Sequence, residues 1–209
     1  MAMLGNIAAS DLFIVIASLV VSVTLHEVMH GYVAHQLGDS TAHDAGRLTL
    51  NPLKHIDLVT SVLLPAIMIA IHVPPIFIAK PVPFDPSRVR HGEVGVAMVG
   101  VAGPLTNFLL ASLGAVVCNF AGLGETAMHA LLIFIEINVS LFVFNMIPFP
   151  PLDGSRLLYA FAPEPIQRIM LQIEQAGFGV TILIFLLLSP FILPVIGNVS
   201  NTILQFLLR

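Results

Sequence analysis

The residues best equipped for chemistry in this sequence are His26, Glu27 and His30, spaced as His-Glu-Val-Met-His. On an α-helix, positions i and i+4 lie on one face, so both imidazoles can ligate one Zn2+ while Glu27 stands beside them as a general base for activated water. With 8 His among 209 residues, independent positions would produce this pattern by accident in roughly 1% of such chains. The motif also sits in an otherwise apolar stretch, where a charged side chain costs about 2.5–3.5 kcal/mol even on the lenient insertion scale, a cost borne for function. A catalytic zinc site takes three protein ligands and keeps a position for water, so one ligand remains to be found. His35, His43, His55, His72, His129, Glu136 and Asp153 are the candidates. His35 lies roughly half a turn out of phase with the His26/His30 face, and His43 and His55 fall in a polar loop, where a solvated histidine is the ordinary reading. Asp153 differs, because it follows Pro148-Phe149-Pro150-Pro151 and precedes Gly154. That setting presents a carboxylate at the unwound end of a membrane helix.

The elements that must position these groups are membrane spans. Of the 209 residues, 57% are apolar and 10% charged, with a mean hydropathy of +0.97, against about 45–50% apolar and 25% charged in globular domains. The balance of 8 Lys+Arg against 12 Asp+Glu, without a basic run, removes the electrostatic footprint of a nucleic-acid binder. A single cysteine, Cys118, excludes an intrachain disulfide and a thiolate metal cluster, so any metal is held by His and carboxylate. The N-terminal stretch lacks the charge pattern and cleavage site of a signal peptide, and one helix is expected from about Leu12 to Leu37. Apolar stretches follow at Leu58–Ala79, broken by Pro65, Pro74 and Pro75, at Val94–Ala121 with Gly103-Pro104 inside, and at Thr126–Met146. After the turn-rich PFPPLDGSR and an interfacial helix over Pro165–Gln175, a last stretch runs from Phe178 to about Leu208, as one span or two short ones. No internal repeat is visible. The expected fold is an all-α polytopic membrane protein with about four to five transmembrane helices, a re-entrant segment and short interfacial β-strands, organised as one membrane-embedded domain over residues 1–209.

HEVMHGYVAHQLGD, GRLTLNPLKHID, AKPVPF, AGPLTN and NMIPFPPLDG together resemble the site-2 protease family of intramembrane zinc metalloproteases, in its compact form without PDZ or CBS domains. The combination of HExxH with a distal NxxPxPxLDG is highly specific, and the likeness covers most of the chain. The resemblance implies one Zn2+ per chain, bound by His26, His30 and Asp153, with Glu27 as general base. It further implies that Asn145, and Asn107 within Gly103-Pro104-Leu105-Thr106-Asn107, face the active site to hold substrate backbone or stabilise the oxyanion. Many relatives carry a helix ahead of the HExxH helix that has no counterpart here.

If His26, His30 and Asp153 bind one ion, the chain must cross the bilayer an even number of times between Leu37 and Ile147. Three apolar stretches lie in that interval, so one is not a full span. Leu58–Ala79 is expected to be re-entrant, because its prolines divide it into pieces too short to cross and irregular backbone is tolerated where protein or a water cavity covers it. Arg47, Lys54, Lys80, Arg88, Arg90, Arg156 and Arg168 then fall on one side and Arg209 on the other. By the positive-inside rule the N-terminus is outside and the HExxH lies toward the cytoplasmic end of its helix, in a bacterial or archaeal cell membrane.

The expected reaction is peptide hydrolysis in or near the transmembrane segment of a protein substrate within the lipid bilayer, after local unwinding exposes the scissile carbonyl. Arg47–Leu50 and Ala79–Phe84 alternate enough to offer the unwound substrate an edge strand, or they are ordinary interfacial loops. A metal or proton transporter would also place His129, Glu136 and Asn138 in the membrane, but the absence of a repeat and the presence of a hydrolytic motif oppose it. A catalytically inactive scaffold of the same fold has no need of Glu27 beside a metal. Oligomeric state is not specified by the sequence.

Overall fold

A computed structural model describes residues 9–55, 57 and 80–209. Among these, seven α-helices are present: α1 (Ala9–Gln36), α2 (Thr41–Asp44), α3 (Gly92–Phe120), α4 (Glu125–Asn145), α5 (Gly154–Phe161), α6 (Glu164–Gln175) and α7 (Phe178–Leu207), with a short 3-10 turn at Pro52–Lys54. Four of them, α1, α3, α4 and α7, are long and apolar enough to cross a membrane, which makes the chain an all-α polytopic membrane protein. The C-terminal stretch is one helix of 30 residues that accommodates Pro190 and Pro194, as membrane helices do when neighbours resatisfy the freed carbonyls.

Contacts between spans fix their directions. Asp11 of α1 meets His129 of α4, and Ser22 of α1 meets Asn138 of α4, so α1 and α4 run parallel. His30 meets Val99 while His26 meets Asn107, so α3 runs antiparallel to α1. The backbone N–H of Arg90 donates to the Leu37 carbonyl at 2.8 Å, which puts the end of α1 and the approach to α3 on one side. The re-entrant reading of Leu58–Ala79 lies outside the described residues.

Helix α3 is the centre of the bundle, packed against α1, α4 and α5. Its Ala111 and Ala115 are buried against Ile135, Val139 and Val143 of α4, with Ile196, Ile203 and Leu204 of α7 closing over the cluster. In lipid, where apolar burial gives no drive between helices, such small residues let backbones approach and gain van der Waals contact.

The expected interfacial strands are absent among the described residues. Arg47–Leu50 and Lys80–Phe84 form no ladder, and the physical reason is in the residues: Pro81 and Pro83 have no N–H to donate. The Arg47 side chain binds this segment in place of a backbone strand, donating from Nη2 to the carbonyls of Lys80 at 2.9 Å and Pro81 at 3.4 Å. Buried Asp39 fastens its far end, accepting from the Asp85 N–H at 2.7 Å.

Candidate metal centre

Helix α1 carries His26, Glu27 and His30 in its C-terminal half, and both imidazoles are buried. Their rings meet edge to face with centroids 4.6 Å apart. His26 Nε2 and His30 Nε2 are 3.0 Å apart, and Asp153 Oδ2 lies 3.1 Å from the first and 3.3 Å from the second. Among the described residues, these three alone form a group of His, Cys, Asp or Glu side chains able to share a metal ion.

The donor set fits zinc. Nitrogen and oxygen ligands lie about 2.0–2.1 Å from a tetrahedral ion, which places them roughly 3.3 Å from one another. The three observed separations are close to that edge. Each imidazole is also oriented from behind: His26 Nδ1 lies 2.6 Å from Asn107 Oδ1, and His30 Nδ1 lies 2.7 Å from the Val99 carbonyl oxygen. Both partners accept, so both Nδ1 atoms donate, and the two Nε2 atoms that face Asp153 are the nitrogens left to ligate a metal.

Glycines permit this convergence. Gly103 places α3 directly on the imidazoles, and Gly154 lies so near the Met146 carbonyl that a Cβ there would stand 2.4 Å from its oxygen. The close approach at Gly154 turns the chain after α4 back on itself, and the turn delivers Asp153 to the HExxH face. Asp153 is helical in conformation and opens α5, with the Arg156 N–H bonded to its carbonyl at 3.0 Å.

Glu27, on the same turn of α1, accepts the Val82 N–H at Oε2 over 2.8 Å. The irregular segment that forms no strand thus supplies a backbone donor to the carboxylate. Val82 is itself buried, its side chain set against the Cα of Gly31.

The remaining sequence candidates are not among the three converging donors. Asn107 is fully buried, and its amide is engaged by His26 on one side and by Asn138 and the Ser22 carbonyl on the other. Both of its Nδ2 hydrogens are directed at protein acceptors. Asn145 donates to the Leu141 carbonyl of its own helix at 3.0 Å. His35 stacks on His43 at 5.1 Å, His43 pairs with Asp44, and His55 is buried against the Thr49 carbonyl. Exposed His129 pairs with half-buried Asp11, and Glu136 is exposed, so neither His129 nor Glu136 belongs to a buried polar pathway. His72 lies outside the described residues. Sequence reasoning missed the second layer, Ser22 and Asn138. The available signal was three polar residues in three apolar spans, each of which needs a partner.

Comparison with known proteins accords with this geometry. A family model for peptidase family M50 matches residues 121–189. The candidate zinc metalloprotease YwhC of Bacillus subtilis (strain 168) is 36% identical over 179 residues, covering 81% of this chain and 78% of YwhC. The candidate zinc metalloprotease Rip2 of Mycolicibacterium smegmatis is 31% identical, covering 85% of this chain and 67% of Rip2. The zinc metalloprotease MJ0392 of Methanocaldococcus jannaschii is 26% identical, and the match spans 40% of its length. No solved structure gives a significant match. The chain belongs to peptidase family M50, the intramembrane zinc metalloproteases of the site-2 protease type.

Proposed function

We propose that this chain hydrolyses peptide bonds in or next to transmembrane segments of membrane proteins, with one zinc per chain held by His26, His30 and Asp153. The observation that carries the reading is the triangle of two Nε2 atoms and one carboxylate oxygen with edges of 3.0–3.3 Å. Zinc bound there supplies Lewis acidity, which activates water near neutral pH and polarises a peptide carbonyl.

The chain's own residues do the rest. Glu27 accepts a proton from water as the oxygen adds to the scissile carbonyl carbon, then returns it to the leaving nitrogen as the C–N bond breaks. The Val82 N–H engages Oε2 and leaves Oε1 as the oxygen that handles the proton. Asn107 and the Val99 carbonyl hold the imidazoles in place. Burial of His26 and His30 keeps competing bulk water out of a site about 9–15 Å from the end of α1 at a 1.5 Å rise per residue.

Orientation follows from charge. Arg47, Lys54, Lys80, Arg88, Arg90, Arg156 and Arg168 flank the end of the bundle where α1 and α4 terminate, and Arg209 follows the end of α7. We place that end in the cytoplasm of a bacterial or archaeal cell and the start of α1 outside. Substrate helices reach the site from the lipid bilayer and unwind locally to free the scissile carbonyl.

Glu27→Gln tests the reading. It keeps the three proposed ligands, so cleavage of a transmembrane substrate is expected to fall by about 10²–10⁴-fold, the usual range for loss of a general base, while bound zinc stays unchanged. Cleavage within tenfold of the parent contradicts the assignment of Glu27.

A further inference from the structure

Behind His26 lies a chain of buried polar side chains drawn from three spans, and every hydrogen bond in it has a forced direction. Phe134 contributes a backbone carbonyl, which can only accept, so the atom of Asn138 lying 2.8 Å from it is the donor Nδ2. The same nitrogen lies 2.8 Å from Ser22 Oγ. Asn138 Oδ1 is thereby turned toward Asn107, whose Nδ2 donates to it at 3.0 Å and also points at the acceptor-only Ser22 carbonyl at 3.4 Å. Asn107 is then left with Oδ1 facing His26 Nδ1 at 2.6 Å. An amide oxygen cannot donate. The proton between them therefore belongs to Nδ1, and Nε2, which faces His30 and Asp153, is the nitrogen left to ligate a metal.

Burial makes this order binding. Ser22, Asn107 and Asn138 are each fully buried, so no bulk water substitutes for a misdirected partner, and a low-dielectric surrounding strengthens each correct one. Turning the Asn107 amide over would set its oxygen against Asn138 Oδ1 and the Ser22 carbonyl together.

We propose that Asn107 and Asn138, referenced to the Phe134 carbonyl and Ser22, are positioning residues that fix the tautomer and ring angle of His26, so that α1, α3 and α4 ready the site for a divalent ion before one binds. The proposal rests on His26 being a metal ligand. It explains why three membrane helices carry polar groups at one depth without forming a pathway: each hydrogen bond sets the next.

The test combines zinc affinity, measured by chelator competition on the purified detergent-solubilised chain, with 15N NMR of ring-labelled histidine in the metal-free chain. In the parent, His26 is expected as a single species protonated on Nδ1; a predominant Nε2–H form overturns the proposal, and this measurement needs no variant. Asn107→Leu and Asn138→Leu are expected to weaken zinc binding by about 10–100-fold, the range seen when an outer partner of a metal ligand is lost, and to give His26 mixed tautomers. Val139→Ala, a core change on the same helix, is expected to lower the melting temperature without altering zinc affinity; zinc loss equal to that of Asn138→Leu overturns the proposal in favour of a structural role. If His26→Ala binds zinc as tightly as the parent, the ligand assignment itself is overturned; if it loses zinc while Asn138→Leu keeps both affinity and tautomer, only the positioning chain is.

Discussion

Gly103 lies against His30 so closely that a methyl group on its Cα would stand 2.4 Å from His30 Nε2, and 2.6 Å from His26 Nε2. Both imidazoles are buried beside the half-buried carboxylate of Asp153, and neither can swing away without losing its Nδ1 partner. Gly103→Ala is therefore expected to weaken zinc binding by at least tenfold, and overpacking of this kind costs about 1–3 kcal/mol of stability. Zinc titration beside thermal unfolding checks this. A Gly103→Ala chain that binds zinc like the parent means that α3 does not press on the imidazoles.

Asp39 governs the segment that reaches Glu27. Its carboxylate accepts from the Thr41 N–H and hydroxyl and from the Asp85 N–H. Burial pushes its pKa up, but these hydrogen bonds outweigh burial and hold it below the usual carboxylate value. A depressed folded-state pKa gives stability that is present above the unfolded value of about 3.9 and is lost as pH falls through the folded value. Protection of the Val82 and Asp85 amides, taken relative to the intrinsic exchange rate at each pH, is expected to fall below about pH 4 by that linkage, and Asp39→Asn to lower it at neutral pH. Exchange at these amides that is unchanged in Asp39→Asn contradicts the anchoring.

Much of this arrangement was legible in the sequence. The His26/His30 spacing required a helix, the even number of crossings between Leu37 and Ile147 followed from Asp153 sharing their depth, and the long apolar runs marked α1, α3, α4 and α7. What stayed hidden depended on facing. An asparagine in a membrane helix declares that it needs a partner without saying which, and so the contacts of Asn107 with His26 and Asn138 left no mark in the sequence. The strands failed for a reason partly written in the chain, since Pro81 and Pro83 leave one edge of the segment without donors and the Lys80 and Val82 N–H groups on the other edge go to the His55 carbonyl and Glu27. The role of Arg47 in holding that segment was not visible, because a side chain reaching a carbonyl 33 positions away leaves no local pattern.

Topology gives an independent check. In a Cys118→Ser background, single cysteines at Ser87 and Gln172, both exposed and on the side where α1 and α4 end, are expected to react with an impermeant thiol reagent only from the cytoplasm. A cysteine at Gly122, in the exposed turn between α3 and α4, is expected to react only from outside. Reversal of this pattern contradicts the orientation drawn from the seven cations.

The central claim is that His26, His30 and Asp153 together hold the metal, and zinc stoichiometry in purified variants tests it most directly. The parent is expected to carry one zinc per chain. His26→Ala, His30→Ala and Asp153→Ala each remove one of three ligands and are expected to lose it, and Asp153→Asn nearly as completely, since a neutral amide is a poor zinc ligand. His43→Ala and His129→Ala, whose imidazoles pair with Asp44 and Asp11 away from the site, are expected to keep a full equivalent. Retention of one zinc by Asp153→Ala together with its loss from His129→Ala would contradict the account.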